Sequence, residues 1–148
     1  AWGLETVGCP SGGCLLTDPV IARRLKDLFF HCPDWNEHDV RLTTRGRHFR
    51  LHAGLKVILG RDEDENRRLE TDPSGLPAAW IADYPGPVAL VRGKADAVDR
   101  QTIGRLLLRF APKAAEREVK VLWREEGTVQ SFRVAGRAGE EEVRSWVR

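Results

Sequence analysis

The chain has 148 residues, of which 41% are hydrophobic and 31% are charged, as expected for one globular domain of ordinary size. Its longest apolar runs are only a few residues, so we expect no membrane span. The net charge of +2 excludes a strongly basic protein, and a nucleic-acid site would therefore have to be a local patch.

The first segment, residues 1–16, has no regular hydrophobic period and contains Gly and Pro, which is typical of a linker or of the end of a preceding domain. Methionine is absent from the whole sequence. We therefore expect the chain to be the C-terminal piece of a longer protein, with residues 17–148 as its folded domain.

Two elements are predicted before residue 55. "TDPVIARRLKDLFFHC" has the pattern of a helix that Thr17 or Asp18 caps and Pro33 ends. "RHFRLH" predicts a strand with Phe49 and Leu51 on one side. The alternating residues on its other side would form a polar stripe on an open sheet face.

The remaining elements alternate between strands and helices. "LKVILG" is apolar on both faces and predicts a central strand; "RDEDENRRLE" predicts a helix capped by Asp62. Two short strands flank the turn at 85–87, a long helix follows in "DAVDRQTIGRLLLRFA", and a hairpin turns at 125–127 before a short final helix. This order predicts an α+β fold, with an antiparallel or mixed β-sheet and packed helices in a single compact domain.

The sequence has three cysteines, Cys9, Cys14 and Cys32. Their odd number and irregular spacing argue against a disulfide framework and predict a reducing, cytoplasmic environment. Together with His31 and His38 they could be imagined as a zinc site. Because the C-x4-C spacing is loose and no second ligand pair follows, we expect ordinary thiols and no metal.

Sequence signatures of enzymes are mostly absent. The chain has no Gly-x-x-x-x-Gly-Lys-Ser/Thr phosphate loop, no Gly-x-Ser-x-Gly elbow and no His-Glu-x-x-His. On a strand, His48 and His52 would lie about 13 Å apart, too far to share one metal ion. No catalytic set is predicted, and the carboxylate runs "DEDE" and "GEEE" are read as helix caps and solvated faces.

Several strings carry a family resemblance: "GGCLLTDPVIARRLKDLF", "GRHFRL", "GLKVILGRDEDEN" and "YPGPVALVRG". Over residues from about 9 to 110 they resemble the C-terminal region of predicted bacterial tRNA sulfurtransferases. There, a PP-loop ATP-pyrophosphatase domain precedes a domain similar to NFACT-R, the RNA-binding module of ribosome-quality-control factors. Gly60, Arg61 and Asn66 match a motif of that module. Its acidic-histidine motif has no counterpart here, where Asp83 stands without a histidine.

The resemblance implies an RNA-binding accessory domain that presents tRNA to the catalytic domain of a tRNA-thiolating enzyme. The domain would not be catalytic by itself; ATP and Mg²⁺ would belong to the missing domain, and no cofactor is expected here. The alternative is a docking or structural domain that packs on the catalytic domain without touching RNA. A third reading makes Cys14 part of the enzyme, as a sulfur-carrying thiolate or an iron–sulfur ligand, although a packing role is favoured.

Two groups of residues are candidates for these roles. Arg61 is expected to bond a carboxylate within residues 62–65 or a backbone carbonyl, and so to hold the corner between strand and helix together with Gly60 and Asn66. The polar stripe and its basic neighbours would bind RNA phosphate, because RNA is recognised largely through its backbone and by stacking. These residues are Arg45, Arg47, His48, Arg50, His52, Arg92 and Lys94.

Overall fold

The computed structural model describes residues 17–111 and 118–148, which form five helices and six strands. In chain order these are α1 (Pro19–His31), α2 (Glu37–Leu42), β1 (Arg47–His52), β2 (Leu55–Leu59), α3 (Glu63–Glu70), β3 (Ala78–Ile81), β4 (Ala89–Gly93), α4 (Ala97–Arg109), β5 (Val119–Glu125), β6 (Thr128–Val134) and α5 (Glu140–Trp146). The predicted α+β fold is confirmed. None of the described helices is long and apolar enough to cross a membrane.

The chain divides into two compact units. In the first, the described residues are 17–44 and Arg148, and they contain α1 and α2. The carboxylate of Asp18 accepts hydrogen bonds from the backbone N–H groups of Val20 and Ile21, as predicted for the N-terminus of this helix. The predicted linker at 1–16, including Cys9 and Cys14, lies outside the described residues, and the domain boundary at residue 17 stays a prediction.

The second unit, Arg45–Val147, contains a six-stranded sheet. Its strand order is β1-β2-β4-β3-β5-β6, and every neighbouring pair is antiparallel. Of the two predicted arrangements, antiparallel and mixed, the structure has the antiparallel one. All five residues of β2 are buried, Lys56 among them, and the burial of its four apolar residues agrees with the predicted central strand.

The main core lies between one face of the sheet and α4. Alternate strand residues, among them Phe49, Val57, Val91 and Val121, share one buried cluster with Leu107 of the helix. The helix approaches β6 so closely that a Cβ on Gly104 would lie 2.4 Å from Cγ2 of Val134. Glycine is therefore required there for packing rather than for an unusual backbone conformation.

The opposite face of the sheet is contacted by α3. This helix lies against β4, its Leu69 is fully buried, and its last carbonyl, on Glu70, accepts a hydrogen bond from Arg124 of β5. At one edge of the sheet, α5 contacts β1, and Val147 forms a β-bridge with Phe49. At the other edge, β5 and β6 form the predicted hairpin.

Candidate nucleic-acid interface

The corner between β2 and α3 is held by one carboxylate. Both oxygens of Glu65 accept hydrogen bonds of 2.9 Å from the side chain of Arg61, and one also accepts from the Arg61 backbone N–H. A further 2.9 Å bond comes from the backbone N–H of Gly46, just before β1. The predicted bond from Arg61 to a carboxylate within residues 62–65 is present, and its role in holding the corner stays a prediction. The same carboxylate also contacts the backbone just before the first strand.

The other two motif residues complete the same corner. The side-chain oxygen of Asn66 accepts a 3.0 Å hydrogen bond from the backbone N–H of Val88, and the N–H of Gly60 donates to the Val88 carbonyl at 3.1 Å. A Cβ on Gly60 would lie 2.0 Å from that asparagine oxygen. The Gly-Arg…Asn motif thus links the end of β2, the start of α3 and the segment just before β4, and this role is structural.

The bonds from Arg61 lower the pKa of Glu65 to about 2, and the N–H of Gly46 contributes in the same direction. Partial burial opposes this shift, because desolvation penalises the charged carboxylate. The carboxylate is therefore ionised at neutral pH and fully committed to the corner. The side chain of Arg61 is half exposed, but its Nε and Nη2 groups already donate hydrogen bonds to Glu65.

The predicted exposed stripe on β1 is wrong for two of its three residues. His48 is 2% exposed and Arg50 is 7% exposed, and the neighbouring cation Lys56 is 4% exposed. His48 Nε2 lies 2.9 Å from the Arg45 carbonyl, and Arg50 donates to the Ala53 carbonyl at 3.4 Å. Strand alternation correctly places His48 and Arg50 on the same face of β1. It carries no information on whether that face is buried or exposed to solvent.

A register shift separates the third residue from the other two. Between Arg50 and His52 the β1–β2 pairing slips by one residue, and His52 lies 3.3 Å from the carboxylate of Asp99 in the first turn of α4. Arg47 is also on the α4 side, with its guanidinium 4.8 Å from the ring centre of Phe110. The predicted set therefore does not form one continuous surface.

The three other residues predicted to bind RNA differ in their exposure. Arg45 and Arg92 are half-buried, whereas Lys94 is exposed just after β4. Arg92 pairs across the sheet with Lys56, which in turn pairs with Arg50. These three cations thus follow one another across three strands, but two of them are buried and each makes further contacts within the protein. The RNA-binding role assigned to the set stays a prediction.

A different surface combines exposure with basic and aromatic side chains. On the face opposite α4, the strands β3, β5 and β6 present side chains that are exposed or partly exposed. We call this the outer sheet surface, and it consists of Trp80, Lys120, Leu122, Arg124, Ser131 and Arg133.

The strand register arranges the outer sheet surface in rows. Trp80, Leu122 and Ser131 are direct partners across the three strands, so they form its central row. Arg124 lies on one side of this row, held by the Glu70 carbonyl and with its guanidinium 5.7 Å from the centre of the Trp80 ring. This geometry joins a π-face to a fixed cation.

The other side of the central row carries two more cations. Lys120 and Arg133 are direct cross-strand partners and both are exposed. Arg133 lies 3.4 Å from the carboxylate of Glu118, with both side chains more than half exposed, so solvent screens this ion pair strongly. A platform flanked by positive charge on both sides can attract phosphate and stack a flat ring.

The sequence contains a signal for part of this surface. In "VKVLWRE" the residues Lys120, Leu122 and Arg124 alternate with Val121 and Trp123 of the core, which is the period of a half-buried strand. No local pattern places Trp80 beside them, because that contact depends on β3 pairing with β5 rather than with β4 alone.

Metal ligands do not gather in the part of the chain that the structure describes: no group of three or more His, Cys, Asp or Glu residues there could hold an ion. Cys32 is a half-buried thiol that donates to a carboxylate oxygen of Asp34 at 3.2 Å. The two other cysteines of the imagined zinc site, Cys9 and Cys14, lie outside the described residues.

Comparison with known proteins gives two findings. The profile of a family described as the NFACT protein RNA binding domain matches residues 46–147. Among solved structures, the chain is similar to the C-terminal part of the fibronectin/fibrinogen-binding protein from Streptococcus suis, with 15% identity and a TM-score of 0.56. That similarity covers 84% of this chain but only 58% of the other, and it shows a shared fold alone. Among curated proteins, none matches the chain.

Proposed function

Because the chain belongs to the family of NFACT protein RNA-binding domains over residues 46–147, we propose that it binds RNA through its outer sheet surface. The observation that carries the choice of surface is the contact of Trp80 with Arg124, with the exposed cations Lys120 and Arg133 on the other side of the same row. Cations supply sequence-independent attraction to phosphate, and an aromatic ring adds a contact that a simple solvated sheet face does not need.

The test of RNA binding is its dependence on salt. A filter-binding titration with tRNA should show affinity falling as salt rises, with a log–log slope of about −0.7 to −0.9 per phosphate contact. Lys120→Ala should weaken binding and reduce the slope by about one contact. The matched control is Arg144→Ala, because that cation on α5 is 74% exposed and lies outside the outer sheet surface.

Two results would count against this assignment. If tRNA does not bind at low salt, the isolated chain is not an RNA-binding domain. If Lys120→Ala and Arg144→Ala lower the affinity equally, binding follows overall charge, and the outer sheet surface has no special part in it.

The resemblance to tRNA sulfurtransferases supports a narrower role. In this proposal the domain presents tRNA to a PP-loop catalytic domain of the same protein, and ATP and Mg²⁺ belong to that domain. No chemical role is assigned to Cys14, so Cys14→Ser should leave tRNA binding and thiouridine formation by the full-length protein unchanged. A Cys14→Ser protein that binds tRNA but forms no thiouridine would instead make Cys14 part of the chemistry.

A second candidate function is docking on another protein surface, and one observation favours it. In the first compact unit Phe30 is 82% exposed, and Phe29 and Trp35, whose ring centres are 4.9 Å apart, are 44% and 45% exposed. Exposed aromatic groups of this kind are typical of interaction sites. Phe30→Ser should then weaken binding to the separately expressed catalytic domain and leave tRNA binding unchanged.

A further inference from the structure

The central row of the outer sheet surface is more apolar than phosphate binding alone requires. Trp80 and Leu122 are direct cross-strand partners, and both are partly exposed. A ring face on an open sheet offers little to a base pair, whose two bases are already stacked within the helix. An unpaired base, in contrast, has a free π-face that can stack on an aromatic side chain.

The cations are positioned for the backbone on either side of such a base. Along β5, Lys120 precedes Leu122 by two residues and Arg124 follows it by two, so each cation is about 7 Å further along the strand. All three side chains point to the same face. The apolar row therefore lies between two positive charges, which matches a base flanked by its own two phosphates.

Arg124 is also restrained before any ligand arrives. Its guanidinium donates to the Glu70 carbonyl and lies over the Trp80 ring, while the remaining donors of its fork stay available. Glu118 neutralises part of the charge of Arg133. Lys120 and Arg124 are thus the two cations that flank Leu122 on its own strand.

We propose that the outer sheet surface binds an unpaired nucleotide, with the base stacked on the face of the Trp80 ring away from Arg124 and the adjoining phosphates held by Lys120 and Arg124. This inference rests on the proposed RNA binding and gives it a substrate class, single-stranded RNA. Duplex RNA meets only the cations and binds more weakly.

The first experiment uses the unaltered protein and three RNA probes of equal length. These are an unstructured uridine oligomer of about ten nucleotides, the same oligomer with its bases removed, and a blunt duplex. The uridine oligomer should bind about tenfold or more tightly than the base-free one at the same salt, because only the uridine oligomer has bases that can stack on the ring. Equal affinities for the three probes would overturn the inference.

The second experiment assigns the stacking to one residue. Trp80→Leu should lose most of the preference for uridine over the base-free oligomer, and Trp80→Phe should keep most of it because the ring remains. The control Trp35→Leu removes a tryptophan that is 45% exposed in the first compact unit, and it should leave the preference intact. Thermal melting of each variant establishes that it is folded.

The outcomes separate the two proposals. If no probe binds at low salt, the proposed RNA binding itself fails, and this inference fails with it. If RNA binds but Trp80→Leu keeps the full preference for uridine, RNA binding stands and the stacking role of Trp80 is refuted. Loss of the preference in Trp80→Phe as well as in Trp80→Leu would also refute stacking, because an aromatic ring would then not be sufficient.

Discussion

Replacing Glu65 should destabilise the protein more than replacing Arg61, although the two side chains are ion-pair partners. Arg61→Ala removes only a guanidinium that is 51% exposed, and the carboxylate keeps its bonds to the backbone N–H groups of residues 46 and 61. Exposed ion pairs contribute about 0.2–1 kcal/mol. We therefore expect Arg61→Ala to cost at most about 1 kcal/mol.

Glu65→Ala has larger consequences, because its side chain is only 13% exposed and serves three groups. The N–H of the buried Gly46 would lose its acceptor, which costs about 1–3 kcal/mol. Adding the lost ion pair gives about 1–4 kcal/mol in the free energy of unfolding, with a midpoint of about 2.5 kcal/mol. For a chain of this size that corresponds to a fall in Tm of about 10 °C.

Urea unfolding of the wild type, Arg61→Ala and Glu65→Ala measures these free energies directly. Glu63→Ala is the matched control, because that carboxylate is also in the first turn of α3 but is 93% exposed. It should change stability by no more than about 0.5 kcal/mol. If Arg61→Ala is as destabilising as Glu65→Ala, the corner depends on the ion pair rather than on the backbone N–H groups.

The effect of Glu65→Ala should also depend on pH. The pKa of this carboxyl is about 2 in the folded protein, against about 4.3 for an unfolded glutamate. Its stabilisation is therefore complete above the unfolded pKa and is lost as pH falls towards the folded pKa. The difference between wild type and variant should be constant at neutral pH and shrink below about pH 4.5. A difference that grows on acidification would refute the cause assigned to the shift.

Four further single substitutions, one with a compensating partner, test close packing and burial. Gly60→Ala should lower Tm, because the new Cβ would displace the Asn66 oxygen from its bond to the Val88 N–H, at a cost of about 1–3 kcal/mol. Arg50→Ala should destabilise by about 1–2 kcal/mol since its side chain is buried, whereas Lys94→Ala at an exposed site should not change Tm. Gly104→Ala should cost about 1–3 kcal/mol by overpacking against Val134, and the double variant with Val134→Ala should recover part of that loss.

Most elements were predictable because local patterns determine them. The caps at Asp18 and Asp62, the buried strand "LKVIL" and the amphipathic helix that ends at Arg109 each depend on residues within a few positions of one another. The corner role of Arg61 was predictable for the same reason, since its partner Glu65 is four residues away. The bond from Gly46 to that carboxylate spans 19 residues and was not predictable from the sequence.

The candidate interface was harder to predict because it depends on which sheet face is buried and on the order of the strands in the sheet. Alternation in "RHFRLH" grouped three polar residues on one face of the strand. A shift in the β1–β2 register separates His52 from the other two. His48 and Arg50 are buried and therefore cannot belong to an exposed interface. Trp80 and Arg124 are 44 positions apart in the sequence and meet only because β3 pairs with β5. Neither fact has a local signature.

The bridge between Phe49 and Val147 has a consequence for how the protein is made. The first strand of the sheet gains its last partner from a residue 98 positions later, so β1 cannot be completed until that residue has left the ribosome. The hairpin of β5 and β6, whose partners are near in sequence, can form as soon as it emerges. Because the chain is synthesised from its N-terminus, the edge of β1 should remain without this partner longest. Stalled nascent chains that end before Val147 should therefore be cleaved by protease most readily near Phe49.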